Sequence, residues 1–253
     1  MDINPLKLQF LNKTKTIDAS LCLAPSADFD IICANKTYFL SSNEQSVFND
    51  LLHASRRQTY LLGRYCAKTA ISSLKKIYFK ETEIKNGIFG QPLLSASRHL
   101  DLEVSISHCG STAGAFVFPT AYPMALDVED INIEYTSIIS SFLSEKENNL
   151  ISGSKKHLDV YTTAIWTAKE ALGKVLKCGF LAESNIFEIK SFEYNSVDQI
   201  FKGKFSFFPN WNFLVITAGQ TMLTLVFPSA LILNTNQCII KDMLNSVMES
   251  NSK

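Results

Sequence analysis

The 253-residue chain has no excess of charge: 24 lysines and arginines balance 24 aspartates and glutamates. Without a global basic field, neither nucleic acid nor an anionic membrane is an expected partner. No run approaches the roughly 18 uninterrupted apolar residues of a membrane span. The opening MDINPLKLQFLNKTKT lacks an apolar stretch followed by a small-residue cleavage site, so no signal peptide is read and the cytoplasm is the expected location. The six cysteines, Cys22, Cys33, Cys66, Cys109, Cys178 and Cys238, include no CxxC pair and are irregularly spaced. They read as reduced, mostly buried thiols. The four histidines do not cluster with them, which argues against a zinc site. No P-loop GxxxxGKS/T and no kinase signature appears, which counts against the common nucleotide-dependent phosphoryl transferases.

What is present fits a globular protein. Hydrophobic residues make up 46% and charged residues 19%, enough for a core in one large domain or two ordinary ones. Apolar, β-leaning runs lie at 21–24 and 29–34 (FDIICA). A short helix is expected over 43–54 and a longer one over 56–74, where Arg56, Arg57, Arg64 and Lys68 lie off the apolar stripe. NGIFGQP (86–92) reads as a turn. LEVSISHCGSTAGAFVF (102–118) reads as two strands joined at His108-Cys109-Gly110, with Ser107 and His108 at a strand end. Residues 120–123 suit a boundary between halves. A helix is expected over 135–150, a linker at 152–157 and a strong amphipathic helix over 158–177. The rest reads as strands at 186–189, 201–208, 211–217 and 222–227, then a short helix near 238–248. No sequence repeat is read, although the order of helices then strands occurs twice.

Two stretches carry chemistry. In ALDVED (125–130), Asp127 and Glu129 are two apart and share one face of a strand. In WTAKEALGK (166–174), Glu170 and Lys174 are four apart and neighbours on a helix. Each alone reads as an ordinary surface pattern. Together, Asp127, Glu129 and Glu170 gather more negative charge than is stable without a cation. Magnesium takes hard oxygen ligands, usually a few carboxylates with water and substrate phosphate. Lys169 and Lys174 on the same helix suit a phosphate bound to that metal. The combination points to a metal–pyrophosphate substrate.

These motifs, in this order, resemble the 4′-phosphopantetheinyl transferases of the larger Sfp-like type. ALDVE and WTAKEALGK correspond to the family's DxE strand and its (F/W)-(S/C/T)-x-K-E-(A/S)-x-x-K helix. VSISH (104–108) matches its coenzyme A-binding segment, and LLGRYCAKTAIS (61–72) its first long helix. SISHCG and the arginine-rich helix look most like the enterobactin-synthase branch. The resemblance implies an α+β fold, a pseudo-dimer of two similar halves, each with a long helix packed on a small antiparallel sheet. It implies an N-terminal, coenzyme A-binding half at 1–121, a C-terminal half with the metal and catalytic motifs at 122–230, and an extension at 231–253. It also implies Mg²⁺-dependent transfer of the 4′-phosphopantetheine arm of coenzyme A to a serine of an apo acyl or peptidyl carrier protein of fatty-acid, polyketide or siderophore synthesis, by a monomer. The metal ligands would be Asp127, Glu129 and Glu170, with Glu147 behind them or acting through water. The catalytic residues would be Glu170, Lys174 and His108. Coenzyme A would meet Arg57, Arg64, Ser107, His108, Lys169 and Lys174. The sequence departs from the family at Ala125, usually glycine, and at Gly90-Gln91-Pro92, usually GKP, where either another basic residue such as Lys85 or Arg98 replaces the missing charge or coenzyme A binding is weaker. Two other readings stand beside this one: a different Mg²⁺-dependent phosphoryl or nucleotidyl transferase, and a non-catalytic coenzyme A or carrier-protein binding module.

Overall fold

The computed structural model describes residues 3–95, 100–153, 157–179 and 183–251. A hairpin opens the chain. In β1 (Leu6–Asn12), Leu8 and Phe10 are buried while Lys7, Gln9 and Leu11 face out, the period-two pattern of a half-buried strand. It pairs with β2 (Lys15–Pro25). Three short helices follow, α1 (Phe29–Ala34), α2 (Lys36–Phe39) and α3 (Ser42–Asp50), then the long α4 (Ala54–Leu74). Strands β3 (Ile84–Asn86), β4 (Pro92–Leu94), β5 (Leu102–His108) and β6 (Thr112–Pro119) complete the first unit.

The second unit repeats this plan. It runs β7 (Ala125–Asp130), α5 (Thr136–Ser140), α6 (Glu145–Ile151), the long α7 (Leu158–Val175), then β8 (Ile189–Asn195), β9 (Ile200–Phe205), β10 (Trp211–Ala218) and β11 (Thr221–Pro228). Strand β12 (Ile232–Leu233) and helix α8 (Gln237–Asn251) return to the first unit.

Two antiparallel five-stranded sheets result, ordered β12-β1-β2-β6-β5 and β7-β11-β10-β9-β8. Helix α4 covers the outer face of the first with Leu61, Cys66, Ala70 and Ile71. Helix α7 covers the second with Ala164, Ile165, Ala168 and Leu172. The inner faces meet in a third core that includes Leu21, Phe116, Leu126 and Leu225, joined by Ile240, Leu244 and Val247 of α8. Each such fully buried side chain contributes roughly 1.5–3 kcal/mol, so the two units form one body. This is the α+β pseudo-dimer.

Several local expectations are corrected. FDIICA is helical: Phe29, Ile32 and Cys33 pack on the first core while Asp30 and Ile31 face solvent. That is a spacing of three and four, and it overrides the β propensity of the run. The expected helix at 135–150 breaks at Ser144, whose extended backbone starts a new helix with a capping box to Glu147. Residues Ser184–Phe187 are 3₁₀, and the strand begins only at Ile189.

The halves also repeat in sequence, which the opening reading did not find. Phe39-Leu40-Ser41 with Glu44 matches Phe142-Leu143-Ser144 with Glu147. Tyr60, Tyr65 and Ala67-Lys68 match Tyr161, Trp166 and Ala168-Lys169. Glu83-Ile84-Lys85 matches Glu188-Ile189-Lys190, and Thr112 with Val117-Phe118-Pro119 matches Thr221 with Val226-Phe227-Pro228. Each repeat makes the same contacts. Glu44 caps α3 through Ser41, accepts from Lys68 Nζ (2.5 Å) and takes the Ile84 amide (3.0 Å). Glu147 caps α6 through Ser144, accepts from Lys169 Nζ (2.6 Å) and takes the Ile189 amide (2.8 Å). Both lysines also donate to the carbonyl of the repeated phenylalanine, Phe39 or Phe142.

Candidate active site

The first-unit strand β5 lies against the second-unit strand β7, and Ser105 stitches them. Its hydroxyl accepts from the Leu126 amide (3.0 Å) and reaches the Leu126 carbonyl (3.3 Å). On β7, Leu126 and Val128 face the core between the sheets. Ala125 packs under α7 instead, and Asp127 and Glu129 alternate with Leu126 and Val128 on that same side.

Helix α7 brings Thr167, Glu170 and Lys174 onto this face. Asp127 is fully buried and its carboxylate is held from three directions. Lys174 Nζ (2.6 Å) and Ser107 Oγ (2.8 Å) donate to Oδ1, and Thr167 Oγ1 (2.5 Å) donates to Oδ2. Lys174 also donates to Ser107 Oγ (2.8 Å). One carboxylate oxygen from each of Asp127, Glu129 and Glu170 lies within 4.8 Å of the others.

Such crowding shifts the acids. Burial, then the charges of Asp127 and Glu170, push Glu129 up to about 8. Burial, then Asp127, push Glu170 up to about 7, with Lys174 opposing. Burial and then the nearby Lys174 charge hold His108 below its ordinary value. Three hard oxygen ligands that repel one another, with one lysine beside them, suit a divalent cation such as Mg²⁺.

His108 ends β5 and lines a cavity of about 540 Å³ with Arg56, Tyr60, Arg64 and Asn86. Arg64 is buried at 8% exposure and braced from behind. Its Nη2 donates to Asn86 Oδ1 (3.0 Å) and the Ile84 carbonyl (3.3 Å), and its guanidinium stacks 4.1 Å from the Tyr60 ring centre. Its Nε is buried and has no hydrogen-bond partner among the described residues. A smaller cavity of about 230 Å³ adjoins through Gly90, Pro92 and Ile106 and reaches Lys174 and Met124. A larger one of about 760 Å³, along β9 and β12, shares no lining residue with the carboxylate site.

Three expected roles, those of Lys169, Glu147 and Arg57, are corrected by position. Lys169 does not reach the carboxylates: it is 1% exposed, paired with Glu147 and the Phe142 carbonyl on another side of α7. Glu147 spends its oxygens on that lysine, the Ser144 amide and the Ile189 amide, so it holds α6, α7 and β8 together rather than a metal. Arg57 stacks on Phe48, and Arg56 lines the cavity in its place. Gln91 does not replace the family's lysine electrostatically; its side-chain oxygen accepts from the Phe89 amide within its own turn. Lys85 stays exposed beside Glu83, and Arg98 lies outside the described residues. Residues not anticipated are Thr167, Ser105, Arg56, Tyr60 and Asn86. Only the repeat of the halves could have signalled that Lys169 mirrors the structural Lys68.

The chain matches a family model described as the 4′-phosphopantetheinyl transferase superfamily over residues 123–224. It is 35% identical over 85 residues to a holo-[acyl-carrier-protein] synthase of Oceanobacillus iheyensis, covering 31% of this chain and 71% of that protein. Among solved structures, a holo-(acyl-carrier-protein) synthase from Bacillus anthracis in complex with CoA (3′,5′-ADP) aligns at 24% identity and a TM-score of 0.37, over 44% of this chain and 96% of that one. The acyl carrier protein synthase of Mycobacterium tuberculosis aligns at 22% identity and a TM-score of 0.29, over 39% and 92%.

Proposed function

The chain belongs to the 4′-phosphopantetheinyl transferase superfamily and is a phosphopantetheinyl transferase, and from that premise we propose that it moves the 4′-phosphopantetheine arm of coenzyme A onto a serine of an apo acyl or peptidyl carrier protein, releasing 3′,5′-ADP, with Mg²⁺. The observation that carries this is the convergence of Asp127, Glu129 and Glu170 within 4.8 Å, beside Lys174, where the two units meet. Asp127, Glu129 and Glu170 would hold Mg²⁺, which when bound supplies positive charge to the pyrophosphate oxygens.

The residues divide the remaining work. The serine oxygen forms a bond to the phosphorus bearing pantetheine as the bond from that phosphorus to the departing 3′,5′-ADP oxygen breaks. Glu170 takes the serine proton directly or through a water it orients. Lys174 donates to the transferred phosphate, and His108 to the pyrophosphate, stabilising charge that builds on the leaving side. Arg64 lines the adjoining cavity, where its positive charge suits the 3′-phosphate of coenzyme A.

The larger, Sfp-like type is supported by two units that repeat one another within one chain. They supply both walls of the site, Ser107 and His108 from one and the carboxylates from the other, so a monomer suffices. The enterobactin-synthase branch rests on SISHCG and the arginine-rich helix alone. Asp127→Ala tests the site. Transfer to an apo carrier protein should be abolished while circular dichroism and coenzyme A binding without metal persist. Retained transfer refutes the metal assignment. A wild type that binds coenzyme A but never transfers is a binding module instead.

A further inference from the structure

We infer that Thr167 is a positioning residue of the carboxylate site, fixing the rotation of Asp127 so that its remaining lone pairs face Glu129 and Glu170. The inference rests on the metal site proposed above. A buried threonine within a helix ordinarily satisfies its hydroxyl on the carbonyl one turn back. Thr162, on the same helix, does this, donating to the Leu158 carbonyl at 2.5 Å. Thr167, fully buried five residues on, donates across to Asp127 Oδ2 at 2.5 Å instead.

The other carboxylate oxygen is already engaged. Asp127 Oδ1 receives Ser107 and Lys174. Ser107 comes from the other unit, and Lys174 is partly exposed and is the group proposed to serve the transferred phosphate. Among the described residues, Thr167 is therefore the one donor to this carboxylate that is fully buried on the same unit. A ligand carboxylate oriented by a hydrogen bond is held in its binding geometry before the cation arrives.

The repeated half supplies a control made by the fold itself. Matching Tyr60–Lys68 with Tyr161–Lys169 sets Cys66 opposite Thr167. Matching Thr112–Pro119 with Thr221–Pro228 sets Cys22, which pairs with Ala115, opposite Asp127, which pairs with Thr224. Cys66 and Cys22 are both fully buried, and the Cys66 thiol donates to the Ala113 carbonyl (3.7 Å), with burial pushing its pKa well above the usual range. The same count puts Ala24 and Thr69 where Glu129 and Glu170 stand. The long helix thus meets the strand at this position in both units, and a hydroxyl is found there only where a carboxylate faces it.

The test uses the full chain and Mn²⁺ as the probe, with binding read by electron paramagnetic resonance and folding by thermal melts in chelator. Thr167→Val keeps the shape and removes the donor; it should weaken Mn²⁺ binding about 10–100-fold. Thr167→Ser, which keeps the hydroxyl donor, should restore it towards the wild-type affinity. Thr167→Ala, which also removes the donor and adds no bulk, covers the case in which valine fails to fold, and should weaken binding like valine. Wild-type affinity in the valine or alanine variant overturns the proposal, as does a serine variant that folds yet binds as poorly as valine. A wild type that takes up no Mn²⁺ overturns the metal site itself, and this proposal with it.

Discussion

Replacing Glu129 with glutamine should stabilise the metal-free protein at mildly alkaline pH while destroying its response to Mg²⁺. Glu129 is held at about 8 by burial and by Asp127 and Glu170, against about 4.5 in the unfolded chain. Between those values the folded chain keeps a proton that the unfolded chain has released. Stability therefore falls as pH rises through this window. Each pH unit in the window is worth about 1.4 kcal/mol for an isolated group. Glu129 is partly open to water and titrates together with Glu170, so a discounted value of about 2 kcal/mol is expected. For a chain of this size that is about 5 °C in melting temperature. Melting curves in chelator from about pH 5 to about pH 8 should show the wild type losing stability and Glu129→Gln losing less. Saturating Mg²⁺ should reverse the order near pH 8, because about 100-fold excess over the dissociation constant adds about 2.7 kcal/mol to the wild type only. A flat wild-type profile in chelator, or a glutamine variant no more stable near pH 8, would show that the three carboxylates are not crowded together and would refute the reasoning.

Lys169→Met should destabilise the fold by about 3 kcal/mol, leaving the Glu147 charge buried with only backbone donors, and denaturant melts should show partial recovery in the double variant with Glu147→Gln; unchanged stability with weakened coenzyme A binding would return Lys169 to the site. Arg64→Gln should weaken coenzyme A binding about 10–100-fold, the worth of one or two hydrogen bonds to a charged group, while calorimetry with coenzyme A lacking its 3′-phosphate shows little change; equal losses for both ligands would remove the 3′-phosphate from Arg64.

The site was more legible than the scaffold, for a physical reason. Asp127, Glu129, Glu170 and Lys174 lie on two regular elements, where spacing fixes which side chains share a face. Their meeting depends only on α7 lying over β7. Lys169 was misread because it sits one residue before Glu170 in WTAKEALGK, and sequence proximity says nothing about direction: adjacent helix positions are about a third of a turn apart. Its mate Glu147 is 22 residues away, and only its match with Lys68 and Glu44 reveals the pair as scaffold. The residues of the adjoining cavity were only half legible. Arg64 was found on its helix, but Asn86 and Tyr60 brace it through contacts made by the end of β3 and by the previous helical turn. Residues 29–34 show the limit of propensity, since a run of phenylalanine, isoleucines and cysteine became a helix once Phe29, Ile32 and Cys33 found one face of the core.

The central claim is that this chain transfers phosphopantetheine using the three-carboxylate site. The most direct measurement is the intact mass of an apo carrier protein after incubation with the chain and coenzyme A, with Mg²⁺ or with chelator, across carriers from fatty-acid, polyketide, siderophore and peptide synthesis. A gain of one phosphopantetheine on at least one carrier, dependent on Mg²⁺ and absent with Asp127→Ala, is the predicted result. No mass gain on any carrier, or an equal gain in chelator, would contradict it.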